Sequence, residues 1–276
     1  MNTKKLLASD LDGTLIFHKR ISRDTIDAIH AWQDAGHLAV CATGKSIAAT
    51  QHALRESNLE FDYYVLYTGA VVTNASFEIL RSITLPSLLV MELVQAISQE
   101  DSVGIFATTL DTNDVRLAST LPADLTTDMV QYFDPMDISE IPHHTFVGIP
   151  IWVDTRSSVQ GVAQKKDAEE AITRLHSWIT SEYKGRIDCH RNQNFLDIVP
   201  PACSKASGLA WLVRYLQETT GSMFETYSLG DSWNDIDMHQ WADYSASFPH
   251  SPKEIQNLTD AVTPTAAEYI YQLLSS

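Results

Sequence analysis

Two carboxylates separated by a single residue follow the first apolar segment of the chain. Asp10 and Asp12 belong to the sequence Ser-Asp-Leu-Asp-Gly-Thr-Leu, which comes directly after Leu6-Leu7-Ala8. Side chains two residues apart in extended backbone point the same way and lie about 6 to 7 Å apart, so both carboxylates can face one small substrate group. One carboxylate could attack a phosphorus atom while the other protonates the departing oxygen, which combines covalent catalysis with general acid catalysis.

The backbone around these carboxylates is predicted to be a strand followed by a turn. The apolar residues 6–8 indicate a short buried strand, and Gly13-Thr14 indicates a turn that leaves the sheet edge. A single Asp-x-Asp-Gly sequence is also typical of an ordinary turn rich in Asp. The catalytic interpretation therefore depends on what the other predicted strands carry at their ends.

Two further predicted strands also end in polar residues. The apolar segment 38–42 is followed by Thr43 and Gly44. The segment 227–230 is followed by three polar side chains, namely Asp231, Asn234 and Asp235. Because ligands of open parallel sheets bind beyond the carboxyl ends of the strands, we expect all of these groups to meet at one edge of a sheet.

The carboxylates at this predicted edge require a cation. Four of them would repel one another and would also repel a phosphate dianion. Mg²⁺ fits the site because it prefers oxygen ligands and often takes only one or two protein carboxylates. The hydroxyl and N–H groups of Thr43 and Gly44, at a predicted helix start, suit phosphate oxygens. Lys205, at the start of another predicted helix, supplies a further positive charge.

Strands and helices alternate at the beginning of the chain, which predicts an α/β fold with helices on the faces of a parallel sheet. Residues 82–187 mix strands and helices, including a helix over 124–132, and they indicate a separate inserted α+β unit. The chain then returns to the first domain through a predicted strand over 195–199. We therefore expect a core domain made of residues 1–81 and 188–276.

Composition excludes several classes of protein. The chain of 276 residues is 44% hydrophobic, which is sufficient for real cores, and its formal net charge of -16 opposes binding to nucleic acid. The apolar runs are too short for a membrane-spanning helix, and no secretory leader is recognised, so we expect a cytoplasmic protein without a membrane partner. Its three cysteines are widely spaced and are expected to be reduced structural thiols.

The polar motifs, taken in chain order, resemble those of a known family. They are Asp10-Leu11-Asp12-Gly13-Thr14, Thr43-Gly44, Lys205, and Gly230-Asp231-Ser232-Trp233-Asn234-Asp235. This set resembles the four motifs of the haloacid dehalogenase-like hydrolase superfamily, over the whole length of the core. The long insert between the second and third motifs resembles the Cof-type subgroup. The resemblance implies a Rossmann-like parallel-sheet core with a large α/β cap that determines substrate specificity.

The same resemblance implies a chemical role for each motif residue. Asp10 would be the nucleophile that forms an aspartyl-phosphate, and Asp12 would be the acid for the leaving alcohol and then the base for water. The Mg²⁺ ligands would be the Asp10 carboxylate, the Asp12 carbonyl and Asp231, with Asp235 supporting them directly or through water. The phosphoryl group would be held by Thr43, Gly44, Lys205 and Asn234.

These roles predict a Mg²⁺-dependent phosphatase that acts on small phosphorylated metabolites. Sugar phosphates are the leading substrate class. The expected oligomeric state is a monomer or a homodimer. A sugar phosphomutase remains an alternative because it shares the core motifs. A non-catalytic phosphometabolite-binding protein on the same fold is a second alternative. Retention of Asp10, Asp12, Lys205 and Asp231 favours an enzyme.

Some residues depart from the family pattern or lack an assigned role. Lys45 stands where the family often has Arg, and Thr68 stands where it often has Asn. Trp233 is expected to pack against its own loop, with contact to a leaving group as the alternative. The ten histidines include no pair with helical metal-ligand spacing, so no catalytic role is predicted for them.

Overall fold

The computed structural model describes residues 4–121, 133–154, 162–192 and 194–275. Its contacts divide the chain into two compact units, one formed by Met1–Ser82 with Ser204–Ser276 and the other by Ile83–Cys203. The helix predicted over 124–132 lies outside the described residues. No helix in the described ranges has the length and apolar character needed to cross a membrane.

The described strands and helices follow one another along the chain with these bounds. The strands are β1 Lys4–Ser9, β2 Ile16–Phe17, β3 Arg20–Ile21, β4 Leu38–Ala42, β5 Tyr63–Leu66, β6 Val71–Asn74, β7 Ile79–Ser82, β8 Val103–Thr109, β9 Val115–Ser119, β10 Asp134–Pro135, β11 Phe146–Val153, β12 Asp188–Asn192, β13 Phe195–Val199, β14 Phe224–Leu229, β15 Tyr244–Ser247 and β16 Ala261–Val262. The helices are α1 Arg23–Asp34, α2 Ile47–Leu54, α3 Ser87–Ile97, α4 Val162–Glu182, α5 Lys205–Thr220, α6 Ile236–Trp241, α7 Lys253–Leu258 and α8 Ala266–Leu274.

The first unit is built on an eight-stranded sheet in the order β16-β15-β14-β1-β4-β5-β6-β7. The strands from β16 to β5 are parallel, and β6 and β7 add an antiparallel hairpin. Ser9, at the end of β1, pairs with Leu229 of β14 and with Cys41 of β4. The carboxyl ends of these three strands therefore lie side by side, as the sequence predicts.

Local sequence determines where several helices of this unit begin and end. Ser22, Ser46, Ser204 and Thr265 each accept a hydrogen bond from a main-chain N–H in the first helical turn, which satisfies one of the donors that a helix leaves unpaired. Gly221 ends α5 in a left-handed conformation with φ of 68°, which a glycine adopts without steric cost. The predicted cap at Ser22 is confirmed.

The second unit contains a six-stranded sheet in the order β10-β9-β8-β11-β13-β12. All of its pairings are antiparallel except that of β9 with β10. Buried side chains of α3 and α4, such as Leu93 and Ile172, share one apolar core with those of the sheet. This arrangement matches an inserted unit of mixed strands and helices.

The end of the second unit differs from the boundary predicted at residue 187. Residues 195–199 form a strand as predicted, but this strand pairs antiparallel with β11 and with β12 instead of joining the first sheet. The inserted unit therefore continues to Cys203. A short apolar run carries no information about which strand will be its neighbour, and this is why the sequence places the boundary too early.

Candidate active site

Three distant segments of the chain bring charged side chains together inside the first unit. Nζ of Lys205 lies 2.6 Å from Oδ1 of Asp10 and 2.6 Å from Oδ1 of Asp235. All three side chains are buried, and Lys205 is fully buried. Such a charged group is tolerated in the interior only when it is paired, and here one ammonium bridges two carboxylates.

Asp235 also fixes the loop to which it belongs. Its Oδ2 accepts hydrogen bonds from the main-chain N–H groups of Asp231 and Ser232, each at 3.0 Å. Both of its carboxylate oxygens are therefore already occupied by partners within the protein. Asp235 therefore shapes the loop and pairs with Lys205. This arrangement fits a supporting role for Asp235 in the predicted metal site better than direct contact with the ion.

The acidic groups of the site lie close enough to share a cation. One carboxylate oxygen from each of Asp10, Asp231 and Asp235 lies within 4.8 Å of the others. With Lys205 included, the cluster holds three negative charges and one positive charge, which leaves two negative charges for a divalent cation to neutralise. The hydrogen bonds between described residues leave the main-chain oxygen of Asp12 unused, so it is available as a further ligand. These oxygen donors suit Mg²⁺.

Burial and mutual repulsion change the acidity of these carboxyls. Burial raises the pKa of Asp10 to about 7, with Lys205 opposing the rise and Asp235 adding to it. Burial likewise raises the pKa of Asp231 to about 6, with repulsion from Asp235 adding to the effect. Burial alone would lower the pKa of Lys205, but the two neighbouring carboxylates outweigh it and raise that pKa. A cation beside Asp10 and Asp231 would favour their ionised forms.

Asp12 differs from Asp10 because its side chain is largely exposed. Its Oδ2 lies 2.5 Å from Nζ of Lys45, and the exposed fraction of the Asp12 side chain is 63%. Lys45 follows the Thr43-Gly44 pair at the end of β4, so an ion pair joins the first motif to the second. The family pattern alone marks Lys45 only as a departure, and the signal in the sequence for this contact is the position of Lys45 directly after the second motif.

The second motif takes a slightly different place from the one predicted. Thr43 and Gly44 precede the helix, which begins at Ile47 with Ser46 as its cap. The N–H of Thr43 donates to the carbonyl of Val65 at 2.9 Å and is not available to a ligand. The Thr43 hydroxyl accepts from the N–H of Lys45 and keeps its own proton for another partner.

The fourth motif presents two more side chains. Oδ1 of Asn234 is buried and receives no hydrogen bond from the described part of the chain, so this amide retains bonding capacity next to the charged cluster. Trp233 is 50% exposed, and its indole N–H donates to Glu254 Oε2 at 3.2 Å. Trp233 therefore contacts a neighbouring helix, α7, and does not simply pack against its own loop as predicted.

Comparison with known proteins identifies the family. The family model of haloacid dehalogenase-like hydrolases matches residues 7–269. This chain belongs to that family. The match spans all four motifs as well as the inserted unit, and it confirms the predicted Cof-type membership of the superfamily.

Curated relatives of this family member carry phosphatase names. The protein YxeH of Bacillus subtilis (strain 168), a phosphatase by provisional name, is 26% identical over 279 residues, covering 96% of this chain and 94% of the relative. The HMP-PP phosphatase of Yersinia pseudotuberculosis (serotype O:1b, strain IP 31758) is 26% identical over 243 residues, covering 85% of this chain and 80% of the relative. These matches confirm the predicted enzyme class, a phosphatase.

Solved structures of the same family confirm the fold. A haloacid dehalogenase-like hydrolase from Bacteroides thetaiotaomicron matches with a TM-score of 0.74 and 20% identity, covering 98% of this chain and 100% of that one. A sugar phosphatase of haloacid dehalogenase subclass IIB matches with a TM-score of 0.71 and 20% identity, covering 99% and 98%. The predicted α/β class, with a Rossmann-like parallel-sheet core and an inserted cap, is thereby confirmed.

Proposed function

We propose that this hydrolase is a Mg²⁺-dependent phosphatase that cleaves small phosphomonoesters through an aspartyl-phosphate on Asp10. The observation that carries the proposal is the pairing of Asp10 with the buried Lys205 at a strand end where Asp231 also lies. Phosphoryl transfer depends mainly on positioning and on compensation of negative charge, and this site supplies both.

The first half of the reaction transfers the phosphoryl group to the enzyme. The free carboxylate oxygen of Asp10 attacks phosphorus, and the bond between phosphorus and the ester oxygen breaks. Asp12 donates a proton to that oxygen, so the product leaves as a neutral alcohol. Lys205, which pairs with the other oxygen of Asp10, keeps the nucleophile in position.

The second half of the reaction regenerates the carboxylate. Asp12, now ionised, accepts a proton from a water molecule that attacks the phosphorus of the aspartyl-phosphate. The bond between phosphorus and the Asp10 oxygen breaks, and inorganic phosphate is released. Lys45 pairs with the ionised form of Asp12, which is the form that serves as base.

The remaining motif residues hold the metal ion and the phosphoryl oxygens. We assign the Mg²⁺ ligands to the Asp10 carboxylate, the Asp12 carbonyl and Asp231, with Asp235 supporting them. When bound, Mg²⁺ neutralises charge on the phosphoryl oxygens as it develops. We assign contacts with the phosphoryl group to the Thr43 hydroxyl, the Gly44 N–H, the third N–H of Lys205 and the Asn234 amide. Lys205 has three N–H groups, and two of them are used by carboxylates.

Sugar phosphates are the proposed substrate class, and nucleotides and pyridoxal phosphate are the alternatives to test. The subclass IIB neighbour is named a sugar phosphatase, and the Yersinia relative is named an HMP-PP phosphatase. Cys41, Cys189 and Cys203 are buried thiols that form no disulfide in the described part of the chain, which supports a reducing cytoplasmic setting.

The decisive experiment is a phosphate-release panel across sugar phosphates, nucleotides and pyridoxal phosphate, each with Mg²⁺ and with EDTA. Net release of inorganic phosphate that requires Mg²⁺ supports the phosphatase. Transfer within a hexose bisphosphate without net release would favour the phosphomutase instead. Tight binding of a sugar phosphate with no turnover would favour a non-catalytic binding protein.

A further inference from the structure

One histidine, His250, belongs to a tight turn that follows β15 and consists of residues 248–251. Phe248 and Ser251 exchange hydrogen bonds, because the N–H of Ser251 donates to the Phe248 carbonyl at 3.0 Å and the N–H of Phe248 donates to the Ser251 hydroxyl at 3.1 Å. The side chain of Gln256, in α7, donates to the carbonyls of Pro249 and Ser251. Proline at the second position of the turn and this clamp by Gln256 limit its movement.

The histidine held by this turn reaches the first motif. Nε2 of His250 lies 2.8 Å from the main-chain oxygen of Gly13 and donates a hydrogen bond to it, since a carbonyl oxygen can only accept. The imidazole stacks on Phe248 with ring centroids 5.2 Å apart, and it lies perpendicular to the ring of Phe17, from the β2–β3 hairpin, with centroids 5.4 Å apart. The ring is therefore fixed by two aromatic contacts as well as by its hydrogen bond.

The carbonyl that His250 holds belongs to a residue in close contact with the proposed metal site. A Cβ built on Gly13 would lie 2.6 Å from Oδ2 of Asp231, so the two residues are packed without space between them. The next residue, Thr14, donates its hydroxyl proton to Oδ1 of Asp231 at 3.1 Å. The turn that begins at Asp12 is thus joined to Asp231 on one side and to His250 on the other.

We propose that His250 is a positioning residue, which holds the Asp12-Gly13 turn against Asp231 so that the carbonyl of Asp12 and the carboxylate of Asp231 face the same cation. This role rests on the proposed function, because it presumes that Mg²⁺ binds there. His250 touches neither the substrate nor the ion. It acts through Gly13, from a segment of the chain that carries none of the four motifs.

The test compares two substitutions that separate the hydrogen bond from the ring packing. His250→Phe keeps an aromatic ring between Phe17 and Phe248 but removes the donor, and His250→Gln keeps an N–H donor without the ring. His30→Phe, on the exposed face of α1, is the matched control. Two readouts are needed: the rise in melting temperature on adding Mg²⁺, which requires no turnover, and the Mg²⁺ dependence of kcat and KM for the best substrate of the panel.

We expect His250→Phe to raise the Mg²⁺ concentration at half-maximal effect about fivefold in both readouts, because one hydrogen bond is worth about 1 kcal/mol and about 1.4 kcal/mol corresponds to a tenfold change. It should lower kcat with little change in KM, and His250→Gln should recover part of the loss. An unchanged Mg²⁺ requirement in His250→Phe would overturn the proposal, and so would equal losses in both variants. If the wild type binds Mg²⁺ yet releases phosphate from no substrate, the proposed function fails while the thermal readout still tests His250.

Discussion

The Cα of Gly13 and the carboxylate of Asp231 lie so close together that a single added methyl group would fall 2.6 Å from Oδ2. Gly13 also adopts a φ of +78°, which disfavours residues with a Cβ. Two separate physical demands, close approach and a left-handed backbone, therefore require glycine at this position. They can be separated by experiment, because Gly36 meets only the second demand.

Gly13→Ala is expected to lower kcat/KM at least tenfold and to weaken the stabilisation by Mg²⁺, because the new methyl group must displace the Asp231 carboxylate. Gly36→Ala is the control, since Gly36 has a φ of +84° with no heavy atom within 4 Å of its built Cβ. Both variants should lose about 1 kcal/mol or more of unfolding free energy from backbone strain. If Gly13→Ala keeps wild-type activity, the contact with Asp231 has no catalytic importance.

Asp10→Asn is expected to abolish phosphate release, by more than about a thousandfold, while leaving the fold intact. An amide is a poor nucleophile, and it can still accept the hydrogen bond from Lys205. Phosphate release and circular dichroism measure the two effects. Asp34→Asn, on the exposed end of α1, should behave as wild type in both measurements. Normal turnover by Asp10→Asn would remove the proposed nucleophile.

Lys205→Met is expected to lower the unfolding free energy by about 3 to 5 kcal/mol and to abolish activity, because it leaves two buried carboxylates without their partner. Urea unfolding measures the loss of stability. Lys253→Met, at the exposed start of α7, should change stability by less than about 0.5 kcal/mol. Adding Asp235→Asn to Lys205→Met should restore part of the stability, since it removes one of the unpaired charges.

Stabilisation by Mg²⁺ is expected to be larger at pH 8 than at pH 5. The pKa of Asp10 is raised to about 7 and that of Asp231 to about 6, both from an ordinary value of 3.8. Without a cation, the folded state holds protons that the unfolded chain releases, so these two groups reduce stability as pH rises from about 4 to about 7. At high pH, a bound cation neutralises the two ionised carboxylates and removes this loss of stability. At pH 5, the cation must first displace the protons that Asp10 and Asp231 hold.

Thermal unfolding at the two pH values, with Mg²⁺ and with EDTA, measures this difference. Because only the change caused by the ion is compared, the titration of all other groups cancels. Asp231→Asn should lose most of the gain at pH 8. An equal gain at both pH values would show that the ion does not bind to these carboxyls.

Much of the site could be predicted because its residues occur at the ends of recognisable strands. Asp10, Thr43 and Asp231 follow apolar segments that become neighbouring parallel strands, and Lys205 begins a helix with a clear N-cap at Ser204. His250 could not be predicted, because its contact with Gly13 depends on the exact path of a turn after β15. No spacing between residues in the sequence predicts such a contact.

The extent of the inserted unit could be predicted only in part. Its start near residue 82 follows from the change in pattern after β7, and the division after Ser82 agrees with it. Its end could not be read from Phe195–Val199, because the alternation of buried residues in that strand suits either sheet. Partner choice is decided by β11, whose residues Ile149–Trp152 lie far away in sequence.

The position of β1 in the first sheet has a consequence for how this chain is made. Lys4 pairs with Phe224, whereas Leu6 pairs with Leu38, so a ribosome completes one neighbour of β1 early and the other only after it has made the whole inserted unit. Until then, one edge of β1 presents unpaired N–H and C=O groups that can join the wrong strand. A nascent chain that stops short of β14 carries its proposed nucleophile but has no folded site around it.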